Sequence, residues 1–198
     1  MPTQTNHFSK DYSPLFDYFD TFHRVSREAK GALAAICSLS QIPKNKDLQS
    51  IGHTCRTIYF VKKGIARIYY YKDGTDITES FAFENSLIAR VESLFTGKPS
   101  KKGIQVLEDS EFIGISSPLL FDLYDQFPDI ERLFRKIFES AYVETVNRIE
   151  SLQFHSAEER YHALTRESPD FLKRIPLKYI ASYLGITQVS LSRIRAQR

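Results

Sequence analysis

Residues 176–195 constrain this chain more than any other stretch. They read Pro-Leu-Lys-Tyr-Ile-Ala-Ser-Tyr-Leu-Gly-Ile-Thr-Gln-Val-Ser-Leu-Ser-Arg-Ile-Arg, two short helices joined by a tight turn. Pro176 suits an opening helical position, where its missing N–H costs nothing. Leu177, Ile180, Ala181 and Leu184 recur at three and four and form an inward stripe. Gly185 can adopt the left-handed backbone that ends a helix, and Thr187 is a good N-cap for the helix that follows. Leu191 and Ile194 point inward on that second helix. Gln188, Val189, Ser192, Arg193 and Arg195 are left on other faces. Gln and Arg can make bidentate contacts with base edges, and Ser or Thr near the helix start can hold phosphate, so the layout suits a major-groove reader. Spacing alone fits a small bundle with a solvated polar face equally well. Charge favours the first reading. Residues 156–198 hold eight Lys and Arg against four Asp and Glu, whereas the whole chain holds 27 against 24. The positive excess lies at the C-terminus, as phosphate neutralisation requires.

The chain of 198 residues is long enough for one large domain or two small ones. With 42% apolar and 26% charged residues it reads as a soluble globular protein. No apolar run approaches the eighteen or so residues of a membrane span, and the N-terminus lacks a secretion signal, so a cytoplasmic location is expected. Cys37 and Cys55 are too few for a disulfide framework and lack metal-binding spacing; both are expected as small buried hydrophobes. His7, His23, His53, His155 and His162 show no metal spacing either. There is no GxSxG, HExxH or phosphate-cradling glycine loop. No enzyme activity, catalytic residue, metal or cofactor is therefore expected.

From the N-terminus, residues 1–9 read as a loose arm. Leu15, Phe19 and Phe22 stand at helical spacing, and Ser26 caps a second helix to Ala35. From about Cys37 to Ile115 the pattern changes to short strands: 57–61, 65–71, 75–83, 104–107 and 111–115. Asp73-Gly74 between β-rich runs is a hairpin signal, and Lys62-Lys63-Gly64 is a further turn. Glu79 among apolar neighbours is either at a strand edge or hydrogen-bonded. Many short strands with turns between them argue for a β-barrel or sandwich. Ser116, Ser117 and Pro118 then open a helix, which Pro128 ends. The longest helical run follows, from 129 to about 151. Ile130, Phe134, Ile137, Ala141, Thr145, Arg148 and Leu152 step along one face and approximate a heptad seam, a dimer interface. Leu133, Phe138 and Val146 are expected to pack on the chain's own β-domain. Another helix covers 154–167, and Ser168-Pro169 breaks it.

In this order the elements resemble the Crp/Fnr superfamily of bacterial transcription regulators over nearly the whole length. The likeness is carried by Val61-Lys-Lys-Gly64-Ile-Ala-Arg67, by Lys72-Asp-Gly74, by Ser156-Ala-Glu-Glu-Arg160 and by the run from Tyr179 to Arg193. The resemblance implies an α+β fold. An antiparallel, cyclic-nucleotide-binding-like β-roll with its helices occupies 1–127, a long dimerisation helix 128–152, and a helix-turn-helix domain 153–198. It places Gln188, Val189 and Arg193 at base-reading positions and Thr187 and Ser190 at phosphate positions, with Arg195 as a further DNA contact. It also implies a homodimer on a palindromic double-stranded operator. RNA polymerase and an unidentified small-molecule effector are further candidate partners.

Two departures qualify that expectation. The β-roll lacks the Gly-Glu pair and the Arg of a cyclic-phosphate cassette; lysines fall near the Arg position, and a Lys is a point charge rather than a bidentate fork. Cyclic AMP is therefore not expected to bind, and Arg90, Glu92 and Lys101 are the polar candidates for any other ligand. The sequence also stops at Arg198, where family members continue into a β-wing. Weaker non-specific DNA affinity is expected unless the N-terminal arm, Arg195 or Arg198 compensates. The alternative is a ligand-binding or protein-interaction module of the same fold that has lost operator binding.

Overall fold

The computed structural model describes residues 11–167 and 171–196. The expected arm at 1–9, the break at Ser168-Pro169 and Arg198 lie outside the described residues. Two helices open the described chain, α1 (Ser13–Phe22) and α2 (Arg27–Ala35). As expected, Ser26 caps α2, its side chain accepting from Ala29 N–H at 3.2 Å. Eight strands follow: β1 (Cys37–Ile42), β2 (Asp47–Gln49), β3 (Thr57–Lys63), β4 (Ala66–Lys72), β5 (Thr75–Ala82), β6 (Leu87–Ile88), β7 (Gly103–Val106) and β8 (Ser110–Ser116). A short helix, α3 (Val91–Thr96), interrupts them before β7.

The strands form two antiparallel four-stranded sheets, ordered β1-β8-β3-β6 and β2-β7-β4-β5. Side chains that alternate inward from both, among them Val61, Ile68, Ile104, Val106 and Phe112, fill the space between the sheets. The turn from β3 to β4 needs its glycine. Gly64 has φ +100°, and a Cβ there would meet the Ser110 hydroxyl at 1.9 Å. Cys37 and Cys55 are buried free thiols.

Helix α4 (Ser117–Tyr124) leads into α5 (Pro128–Phe154), 27 residues and about 40 Å long at 1.5 Å per residue. The first three turns of α5 pack with α1, α2 and α4 on the outside of the β1-β8-β3-β6 sheet, in a core rich in aromatic rings. Phe19 and Phe134 meet edge to face there at 5.5 Å. The chain ends in α6 (Ala157–Glu167), α7 (Phe171–Arg174), α8 (Leu177–Tyr183) and α9 (Gln188–Ala196). Among the described residues no helix is long and apolar enough to cross a membrane, and no group of three or more His, Cys, Asp and Glu could hold a metal ion.

Candidate nucleic-acid interface

Helices α8 and α9 are joined by a turn whose hydrogen bonds follow from one glycine. Gly185 has φ +71°; its N–H donates to Ser182 O at 3.0 Å, and Ile186 N–H donates to Ala181 O at 3.0 Å. These are the paired bonds of a Schellman ending. Thr187 then caps α9, accepting from Ser190 N–H at 3.1 Å and contacting the Ser190 hydroxyl at 3.0 Å. Leu191 is fully buried against Ile180 and Leu184, with Ile194 half-buried beside it. That anchor turns Gln188, Val189, Ser192, Arg193 and Arg195 to solvent, with Val189 62% exposed. Thr187 is exposed and Ser190 half-buried at the N-terminal end. All six candidate DNA-contacting residues therefore lie on or beside one helix. Their outward face carries two guanidinium groups with no side-chain partner among the described residues.

The joint that carries this pair is built from the motif at 156–160. Ser156 and Glu159 form a reciprocal capping box: Glu159 N–H donates to Ser156 Oγ at 3.2 Å, and Ser156 N–H donates to Glu159 Oε2 at 2.7 Å. One turn on, Arg160 donates to Leu184 O at 2.7 Å and to His155 O, fastening the end of α8 to the start of α6. From α5, Arg148 lies 3.9 Å over the Tyr183 ring and donates to the Tyr183 carbonyl.

Helix α8 is also buried on its other face, which periodicity did not foretell. Tyr179, Ser182 and Tyr183 face β4 and β5. Ser182 Oγ accepts from Thr78 N–H at 2.7 Å, on the outer edge of the second sheet. Tyr183 packs on Phe81 at 5.3 Å between ring centres. Arg67, 1% exposed, presents its guanidinium 3.8 Å from the Tyr179 ring. The only sequence signal for this surface was an arginine amid the apolar residues of β4. A second contact joins Arg174, the last residue of α7, to Glu84 (2.6 and 3.1 Å) and to Glu108. Glu84 also accepts from Gly64 N–H at 2.8 Å. Hydrogen bonds from Arg174, with help from the Gly64 amide, hold the Glu84 carboxyl at about 2, below its ordinary value of 4.5. Because that pKa is depressed in the folded state, the stabilisation is complete above about pH 4.5 and is lost as pH falls toward 2. The near-ultraviolet dichroism of the packed tyrosines should therefore change across that window. Glu84→Gln should flatten this segment, and an unaltered acid profile would show that the pair does not hold the contact.

Within the β-roll, only one of the three ligand candidates lies inside. Arg90 is 6% exposed and donates to Glu79 at 3.1 Å, while Lys102 pairs with the other Glu79 oxygen. Glu79 is thus the hydrogen-bonded carboxylate of the two options its sequence left open. Glu92, in the first turn of α3, and Lys101 are exposed. The turn at 99–102 directs the second lysine, Lys102, and not Lys101, at Glu79. Among the described residues, Arg90 Nε is buried without a partner.

No protein-family model matches the sequence, and no curated protein matches it closely. Solved structures do match the fold. FixK2 from Bradyrhizobium japonicum superposes with a TM-score of 0.71 at 16% identity, covering 82% of this chain and 84% of that one. A transcriptional regulator of the Crp/Fnr family from Eubacterium rectale gives 0.71 at 16% identity, with 90% and 85% covered. CLP of Xanthomonas campestris, a c-di-GMP-responsive global regulator, gives 0.66 at 16%, with 87% and 91% covered. The fold is that of the Crp/Fnr regulators. The α+β architecture expected from the sequence, a β-roll followed by a long helix and a terminal helix pair, is the one observed.

Within this Crp/Fnr fold the long helix requires a correction. Ile130, Phe134 and Ile137 are at most 6% exposed and belong to the protomer's own core, so they are closed to any partner; Ala141 is exposed at the flank of the stripe. The stripe continues one inward face, whose later member Arg148 reaches α8. Thr145 and Leu152, the other later members, belong instead to an apolar seam turned less than a quarter turn from the buried residues. It runs through Phe138, Tyr142, Thr145, Ile149 and Leu152, spaced four, three, four and three. Tyr142, Ile149 and Leu152 are 71%, 49% and 45% exposed. Phe95 of α3, 56% exposed, packs on Phe138 at 5.1 Å and widens the seam.

Proposed function

We propose that this protein is a sequence-specific DNA-binding transcription regulator that acts as a homodimer. One observation carries the reading: Leu191 anchors α9 so that Gln188, Val189, Arg193 and Arg195 face solvent together on a helix of groove-entering size. The likeness to regulators of the same fold supports it. The bare heptad spacing of Phe138, Tyr142, Thr145, Ile149 and Leu152 supports pairing of two copies through α5, which would present two such helices to a palindromic site. The test is selection of binding sites from random duplexes, followed by gel retardation at two salt concentrations. A retarded band that weakens with salt and prefers the selected sequence is expected; no retardation at low salt overturns the reading.

The β-roll is read as an effector domain that does not take cyclic AMP. Glu79 already pairs with both Arg90 and Lys102, and a cyclic phosphate would have to compete with that carboxylate for them. Calorimetry should show no saturable heat with cyclic AMP. A micromolar site would overturn this, and Arg90→Gln would then be the first variant to measure.

A further inference from the structure

The helix-turn-helix head is tied to the long helix by very little chain. α5 ends at Phe154, His155 is extended (φ −110°, ψ 142°), and α6 begins at Ala157. The two-residue joint is braced by the Ser156–Glu159 capping box and by Arg160, and contacts across the gap add to what sets the direction in which α9 points. The least deformable of these is at Arg67. Its five N–H donors are all used within the β-roll: two to Asp76 at 2.6 Å each, two to Gln105 at 2.8 and 3.0 Å, and one to Thr78 at 2.9 Å. Tyr69 covers one side at 4.8 Å. The guanidinium is therefore set before the head arrives, and its flat face is what remains to receive Tyr179. Ser182 on Thr78 and Arg174 on Glu84 and Glu108 add two further fixing points between the head and the β-roll, and together the three restrain the head's orientation.

We propose that Arg67 and Arg174 are positioning residues that set the half-site spacing the dimer accepts. This rests on the DNA-binding reading above. A pair of heads held at a fixed angle matches operators whose half-sites have one separation, and loses the gain of divalent binding at others. Heads freed at the joint should find several separations, each less well. The half-site itself, read by α9 alone, should be unaffected.

The experiment uses the full chain and duplexes in which two selected half-sites are moved apart in single base-pair steps, with a lone half-site as reference. Wild type should show one sharp optimum. Arg174→Gln combined with Ser182→Ala should lower affinity at the optimum by about tenfold and flatten the spacing profile, leaving the lone half-site within about twofold. Arg67→Met should do the same; because Arg67 is buried, its melting curve is measured alongside, and the Arg174 and Ser182 variant decides should it fail to fold. X-ray scattering without DNA should show a larger maximum dimension for the variants. An unchanged spacing profile overturns the proposal, and so does an equal loss on single and paired half-sites. If wild type binds no duplex, the DNA-binding reading falls instead. Scattering then still decides whether these residues hold the head, and an unchanged dimension overturns that too.

Discussion

Replacing Ile149 and Leu152 with Glu is expected to turn the protein into a folded monomer. Both side chains are about half exposed in the protomer, so the substitutions disturb no core. In a dimer paired through α5 they face their own symmetry mates, and four carboxylates would be pressed together along the dyad. Ile137→Ala makes the contrast. Ile137 is 6% exposed in the core between α5 and the outside of the β1-β8-β3-β6 sheet, so its truncation should cost about 2–5 kcal/mol of stability and lower the melting temperature without changing the association state. Sedimentation and thermal melting of the two variants separate the two faces of one helix. A dimer that survives both glutamates places the interface elsewhere.

Arg193→Ala should cost about 1–3 kcal/mol on the best operator and relax preference at one base pair in each half-site. An exposed guanidinium on α9 can make two hydrogen bonds to a guanine edge, and Gln188 can do the same with adenine. Val189 has only a methyl surface to offer, which suits a thymine methyl. Arg195→Ala, as a backbone contact, should weaken selected and scrambled duplexes alike and make the salt slope shallower by about one phosphate. Titrations of both duplexes at two salt concentrations distinguish the roles. Equal loss on both sequences for Arg193→Ala would make it a phosphate contact and rotate the reading face. No loss on either would remove α9 from the groove.

The parts of this molecule that were legible in its sequence are those governed by local rules. Gly185 and Thr187 announced the turn before α9, Asp73-Gly74 the β4–β5 hairpin, and Ser26 the start of α2. What escaped was tertiary. Periodicity shows that Ile130, Phe134 and Ile137 share a face, but a face filled by its own β-roll and one left for a partner have the same spacing. Burial separates them, and burial depends on α1 and α4. Likewise Tyr179 and Ser182 fall outside the inward stripe of α8, yet they lie against β4 and β5 because Arg67 and the outer edge of β5 await them. The strands β1 and β2 went unnamed because neither offers more than a few alternating residues. Glu79 and Lys102 meet only through the fold of the chain between them.

Strand β5 stands last in its sheet, and α8 rests along it with Ser182 bonded to Thr78 N–H and to Asp76 O. Lifting the head would do more than free α9. It would uncover a bare β-strand whose amides and carbonyls can pair with a strand from another molecule, an invitation to sticky self-association that folded sheets guard against. The terminal domain thus serves as a cover for the sheet beneath it. A sensor half separated from its head would carry that open edge into solution.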